Sequence, residues 1–209
     1  MDFRYLAIEG PTGLGKTTLA ERLGARIGAT VVLDDPENPF LPDFHAGRPG
    51  AAFQAQLFFT LARHRQMQAL RQRNLFNQIT VCDYLFERDR IYAFMTLDDN
   101  ELFIYQRLFE LLARDVPLPD VVVYLQAPTA SLERQNRGRR GNDPPSAVDL
   151  AELNEAYNHF FFHYSATPLL VVETSQVDLA WGDEAVDELL RQIASMGRGT
   201  QYFVPRLRP

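Results

Sequence analysis

Residues 3–18 read Phe3-Arg4-Tyr5-Leu6-Ala7-Ile8-Glu9-Gly10-Pro11-Thr12-Gly13-Leu14-Gly15-Lys16-Thr17-Thr18. Phe3 to Ile8 is a short apolar run of the kind that forms a strand covered on both faces. Gly10 to Thr17 then fits a strict pattern: two glycines separated by four residues, followed by Lys and then Ser or Thr. Beyond it, Leu19, Leu23 and Ile27 fall on one face of a helix. A strand, a glycine-rich loop and a helix in this order bring successive backbone N–H groups onto one anion. The helix points its positive end at the same place. Lys16 is the only lysine of the chain; every other Lys-or-Arg position is an arginine. A compact ammonium reaches between phosphate oxygens where a planar guanidinium does not fit. Gly10, Pro11, Thr12, Gly13, Leu14, Gly15, Lys16, Thr17 and Thr18 therefore read as the cradle of a nucleotide's phosphates, with the Thr17 hydroxyl placed for Mg²⁺.

Outward from this loop, strand-like runs alternate with helical ones. Phe3–Ile8, Thr30–Leu33, Ile79–Asp83, Val121–Leu125 and Leu169–Glu173 read as strands, several of them rich in Val and Ile. Helices are expected near 17–27, 52–73, 87–96, 101–114, 129–137, 149–164 and 183–195. The alternation predicts an α/β fold, a five-stranded parallel sheet flanked by helices, in a single domain over 1–209. Segment 34–51 holds four of the thirteen prolines and reads as a loop over the strand ends. Segment 138–147 is rich in Gly, Arg, Pro and Asn and reads as an Arg-rich lid. The tail, 197–209, has no periodicity and reads as loosely held.

The composition narrows the function classes. A hydrophobic content of 46% is that of a folded chain, and 209 residues suffice for a sizeable core. A net charge of −6 leaves no broad electrostatic footprint for DNA or RNA. The single cysteine, Cys82, excludes an internal disulfide and fits a reducing compartment. No apolar run approaches the length of a membrane span, and the first strand begins too early to leave room for a signal peptide. A cytoplasmic protein is expected. Helix 101–114 is apolar on more than one face (Leu102, Phe103, Ile104, Leu108, Phe109, Leu111, Leu112), and Phe160, Phe161 and Phe162 stand in a row in helix 149–164. Burial within the monomer would explain this; a homodimer through these helices is the favoured account.

Several polar residues sit where an open parallel sheet binds ligands, at the carboxyl ends of its strands. Asp83 ends an apolar strand beside the phosphate loop, placed either to hold Mg²⁺ or to cap the next helix. Asp34, Asp35 and Glu37 follow the second strand; one of them could take a proton from an attacking hydroxyl. Arg134, Arg137, Arg139 and Arg140 crowd at the lid, where positive charge can meet a migrating phosphoryl group as water is excluded. Gln56 and Arg63 lie seven residues apart, on one helix face; a Gln amide suits a base edge, though spacing alone allows a surface pair. His159 and His163 have i, i+4 spacing but no third ligand, which argues against a metal.

These pieces resemble the deoxynucleoside kinase family, particularly its bacterial deoxyadenosine/deoxyguanosine kinase branch. The likeness runs from Ile8-Glu9-Gly10 to about Val172. It includes Glu37-Asn38-Pro39-Phe40-Leu41, Phe53-Gln54-Ala55-Gln56 with Arg63, Asp83-Tyr84-Leu85-Phe86 leading to Asp89-Arg90, Arg137-Gly138-Arg139, and Leu153-Asn154-Glu155-Ala156-Tyr157. The resemblance implies transfer of the γ-phosphoryl of ATP to a deoxynucleoside 5′-hydroxyl, with Mg²⁺ and a purine substrate expected. It implies that Gln56 pairs with the base edge near Arg63 and Asp89, that Asp34 is the general base, and that lid arginines clamp phosphates. Asp34 stands where the family has Glu. An arginine of the family's Asp/Glu-Arg-Ser motif is missing at Asp83-Tyr84-Leu85, and Arg88 is the substitute. His45 replaces a tyrosine that contacts the sugar 3′-hydroxyl, and Asn142 or Asp143 replaces a lid glutamate.

Two rivals remain. A nucleoside monophosphate kinase of the thymidylate kinase type normally has an Asp-Arg pair after its third strand, where this chain has Tyr84. A guanine-nucleotide switch needs an Asn-Lys-x-Asp motif, which the single lysine excludes; a switch of another kind would bind nucleotide without catalysis.

Overall fold

The computed structural model describes residues 3–34, 37–73, 78–136, 149–175, 177 and 180–205. Six strands, β1 (Tyr5–Glu9), β2 (Thr30–Val32), β3 (Thr80–Cys82), β4 (Val121–Gln126), β5 (Leu169–Glu173) and β6 (Thr200–Phe203), form one sheet in the order β2-β3-β1-β4-β5-β6. Every pairing is parallel. The helices are α1 (Lys16–Ile27), α2 (Leu41–His45), α3 (Ala51–Arg73), α4 (Arg88–Thr96), α5 (Asp99–Ala113), α6 (Thr129–Asn136), α7 (Leu150–Phe162) and α8 (Asp183–Ala194).

The period-2 geometry of the strands divides the core into two layers. Leu6 and Ile8 of β1, Val123 and Leu125 of β4, and Leu170 and Val172 of β5 face α1 and α8, where Leu19, Leu23, Val186 and Leu189 meet them. Tyr5 and Ala7, Val122 and Tyr124, and Leu169 and Val171 face the other way, onto Met67 of α3, Ile91 of α4, Phe109 of α5 and Tyr157 of α7. Because both faces are covered, the strands carry apolar residues at consecutive positions rather than alternate ones. The parallel arrangement also puts all strand ends on one side. Gly10, Asp34 and Asp83 follow β1, β2 and β3 there.

Two expectations need correction. The sheet has six strands rather than five, because Thr200–Phe203 in the tail pairs in parallel with β5; within 197–205 the chain is therefore held by a strand, while 206–209 lie outside the described residues. Segment 34–51 is not all loop: α2 interrupts it, with Pro42 in its first turn, a position where a missing N–H costs nothing. The proposed lid at 138–147 lies outside the described residues. Asp98 caps α5 in a reciprocal box with Glu101.

Gly24 of α1 packs directly on β2: a Cβ there would lie 2.2 Å from Cγ2 of Val31. Gly→Ala in a helix interior ordinarily stabilises by about 1 kcal/mol. Here overpacking against a stiff β-branched side chain reverses the sign, and Gly24→Ala should lose about 1 kcal/mol or more and lower the Tm by several degrees. The Gly24→Ala/Val31→Ala double variant should recover most of that loss relative to Val31→Ala. A higher Tm for Gly24→Ala alone would refute the contact.

Candidate active site

The glycine-rich loop owes its shape to close approach. Gly10 leaves β1 so near β4 that a Cβ would sit 2.5 Å from the Leu125 carbonyl oxygen. Gly13, at φ 98°, has the Asn136 carboxamide against it, 2.8 Å from where a Cβ would be. Asn136 donates to the Thr12 carbonyl at 3.2 Å and to that of Leu132 at 2.9 Å, so the end of α6 rests on the loop. α1 begins at Lys16 with no acidic residue of its own in its first turn, which leaves the backbone N–H groups there to an outside anion. The Lys16 ammonium folds into the loop, donating to the carbonyls of Gly10 at 2.7 Å and Pro11 at 3.2 Å. Burial lowers its pKa, against the pull of Glu9, Asp83 and Asp34.

Asp83 ties three elements together. Its Oδ2 accepts from the Thr17 hydroxyl at 2.6 Å, and its Oδ1 accepts from the Asp34 backbone N–H at 2.7 Å. The buried carboxylate thus fixes the start of α1 and the end of β2 relative to β3. A hydroxyl and a carboxylate side by side are hard oxygen donors and fit Mg²⁺, which takes one or two protein oxygens and completes its shell from phosphates and water.

Beside this lies a buried ion network. Arg63 of α3 grips Asp34 with two parallel bonds, Nε to Oδ1 at 2.9 Å and Nη2 to Oδ2 at 2.8 Å, and its Nη1 donates to Asp89. Arg88 donates from Nη1 to Asp34 Oδ2 at 3.1 Å. Its Nε lies 4.0 Å from the carboxylate of Glu9. Aromatic faces line the network: Arg63 lies over Phe59 and Tyr84, and Arg88 over Tyr92. Burial pushes the Asp34 pKa up, but Arg88 and Arg63 outweigh it and bring the group down to about 2. Burial lowers the Arg63 pKa, yet Asp89 and Asp34 raise it further, so the guanidinium stays charged.

The structure thus brings together Lys16, Thr17, Asp34, Arg63, Asp83, Arg88 and Asp89. Arg88, the expected substitute for the missing motif arginine, reaches the Asp34 carboxylate. Gln56 is buried on α3, on the face that carries Arg63, and donates to the Thr96 hydroxyl at 3.4 Å. His45 is exposed at the end of α2 with its ring against Phe44, and no contact among the described residues joins it to the Asp34 network. Arg134 is turned onto its own helix, bonding the Ala130 carbonyl and the Ser131 hydroxyl. Asp35, Arg137, Arg139, Arg140, Asn142 and Asp143 lie outside the described residues.

Glu9 was missed by the motif reading. It is fully buried; its carboxylate accepts from the N–H groups of Gly10 and Leu85, both at 2.8 Å, and from the Tyr157 hydroxyl at 3.3 Å. It joins the phosphate loop to the segment that carries Arg88. The available signal was an acid closing an otherwise apolar strand.

Known proteins match this architecture. The chain matches the deoxynucleoside kinase family over residues 6–197. It is 34% identical over 139 residues to the deoxyguanosine kinase of Bacillus subtilis (strain 168), covering 65% of this chain and 67% of that one. It is 24% identical over 201 residues to the deoxyadenosine/deoxycytidine kinase of the same organism, covering 91% and 92%. A deoxyadenosine kinase structure from M. mycoides, with products dCMP and a flexible dCDP bound, superposes with a TM-score of 0.73 at 20% identity, covering 91% of this chain and 98% of that one.

The depressed Asp34 pKa has a stability consequence. A carboxylate whose folded-state pKa, about 2, lies below its ordinary 3.8 stabilises the fold above that ordinary value, and the contribution is lost as pH falls toward 2. The stability gap between wild type and Asp34→Asn should therefore be constant from pH 7 to 5 and narrow steadily below pH 4. Denaturant unfolding across that range measures it; a gap that widens on acidification would contradict the ion network.

Proposed function

This chain belongs to the deoxynucleoside kinase family, and from that premise we propose how its own residues phosphorylate a deoxynucleoside at the 5′-hydroxyl. The chain is a phosphotransferase, with ATP the donor the family implies. The N–H groups of the loop and the Lys16 ammonium hold the donor's phosphates. Thr17 and Asp83 would hold Mg²⁺, which when bound would neutralise negative charge on the phosphates during transfer. Asp34 accepts a hydrogen bond from the 5′-hydroxyl, aims its oxygen at phosphorus, and takes the proton as the new P–O bond forms and ADP departs. Gln56, with Arg63 and Asp89, faces the base; His45 approaches the sugar and the lid arginines clamp the phosphates.

The observation that carries this reading is the double grip of Arg63 and Arg88 on Asp34, whose backbone N–H is in turn fixed by Asp83 next to the loop. A carboxylate so held is positioned to about the tolerance that transfer chemistry needs. A purine deoxynucleoside is the proposed substrate, supported by relatives named for deoxyguanosine and for deoxyadenosine with deoxycytidine.

A homodimer is part of the proposal. Phe103, Ile104 and Leu111 on α5 and Phe162 on α7 are large apolar side chains left exposed, Phe162 by 82%. A second copy burying them would explain two helices apolar beyond their core face, and sedimentation at micromolar concentration distinguishes dimer from monomer. A cytoplasmic location is proposed from the lone, buried Cys82; among the described residues no helix is long and apolar enough to cross a membrane.

Asp34→Asn should lower kcat about 10²-fold with KM for the nucleoside changed far less. This is the low end for a general base, because a group with so low a pKa is a weak one. Steady-state assays against four deoxynucleosides and their monophosphates supply the reference rates. A loss confined to KM would move Asp34 from chemistry to binding, and a preference for a monophosphate acceptor would replace this reading with a monophosphate kinase.

A further inference from the structure

We infer that Thr96 fixes which way round the Gln56 carboxamide faces the base, and so sets the choice between bases carrying an amino group and bases carrying a carbonyl at the same ring position. The inference rests on the proposed nucleoside site. Thr96 is the last residue of α4, and its hydroxyl donates back to the Tyr92 carbonyl at 2.8 Å. A hydroxyl has one proton. With that proton directed at Tyr92, only lone pairs remain toward Gln56, and the Gln56 NH₂ group donates to them. Turned by half a rotation, the carboxamide would point its own oxygen at another oxygen with no proton between them. Thr96 is the side-chain hydrogen-bond partner of Gln56 among the described residues, and at 5% exposure Gln56 has little access to water as an alternative. The amide is therefore held with its nitrogen toward α4 and its oxygen away from it.

That orientation matters because base edges differ in the order of their groups. Adenine presents an N–H donor at position 6 beside the ring acceptor N1; a 6-oxo purine presents an acceptor at position 6 beside an N1–H donor. Cytosine has the adenine order. Anchoring of the 5′-hydroxyl at Asp34 fixes the direction in which the edge crosses Gln56. One locked amide then matches one order and sets donor against donor, acceptor against acceptor, for the other. Unpaired buried polar groups make that mismatch costly.

Deoxyadenosine and deoxyinosine isolate the effect, since they differ at purine position 6. Wild-type enzyme should favour one of them in kcat/KM by tenfold or more. Thr96→Val keeps the shape and removes the hydroxyl; it should bring the ratio about tenfold closer to unity, as expected from losing one orienting hydrogen bond. Thr96→Ser should keep the wild-type ratio, and the Tm should change little in either variant because the residue lies at a partly exposed helix end. Should the valine variant fail to fold, Thr96→Ala carries the same expectation. A ratio within twofold of wild type in Thr96→Val, an equal loss for both nucleosides, or a wild type that treats both alike overturns the inference. Phosphorylation of neither nucleoside by wild type overturns the purine reading of the site, and the role of Thr96 falls with it.

Discussion

The bidentate contact between Arg63 and Asp34 is the constraint on which the site depends. It joins α3 to the end of β2, and through Asp89 and Arg88 it extends to α4. Two guanidiniums lie among three carboxylates in a largely buried volume, an arrangement costly to desolvate. Arg63 offsets part of that cost by using Nε and both Nη groups, with its flat faces against aromatic rings, whereas Arg88 Nε and Asp89 Oδ2 are buried without a hydrogen-bond partner among the described residues. Removing one partner from such a cluster costs about 3–5 kcal/mol, because the charges left behind have no solvent to turn to. Lysine could not replace Arg63, since a single ammonium cannot span two oxygens of one carboxylate while bonding a second.

Glu9 and Asp83 connect this network to the phosphate loop. Each is a buried carboxylate at a strand end, and each accepts backbone N–H groups from a neighbouring segment. The loop and the Asp34 carboxylate are therefore parts of one hydrogen-bonded frame rather than two sites brought near one another. The parallel sheet makes this possible by ending β1, β2 and β3 on the same side, so that residues far apart in the chain converge without long loops.

The loop, the core strands and the long helices were legible in the sequence because each has a local signal: glycine spacing, apolar runs, helical periodicity. β6 had none. Thr200-Gln201-Tyr202-Phe203 alternates between exposed and half-buried positions, and it forms a strand because β5 offers it a free edge. α2 was hidden by its prolines, which read as loop although one of them sits at a helix start. Asp34, Arg63 and Asp89 were assembled through family resemblance, because contacts across 26 and 29 residues leave no trace in spacing. Glu9 was passed over for the same reason: its neighbours in the chain are mostly apolar, and its partners Leu85 and Tyr157 are remote. Thr96 carries no motif; its meaning comes from one proton committed to Tyr92.

The same network limits what Asp34 can do in the proposed reaction. Two arginines that fix a carboxylate also stabilise its charge, so position is gained at the expense of basicity. An early proton transfer from an alcohol to so weak a base would be steeply uphill. Phosphoryl transfer through a loose transition state does not ask for one, because little bond to the attacking oxygen has formed when the leaving group is already departing. The hydroxyl proton becomes acidic only as the P–O bond completes, and a weak, well-aimed acceptor then suffices. A site that gives up basicity to hold its carboxylate still is therefore consistent with phosphoryl transfer, and would serve poorly for chemistry that begins with deprotonation.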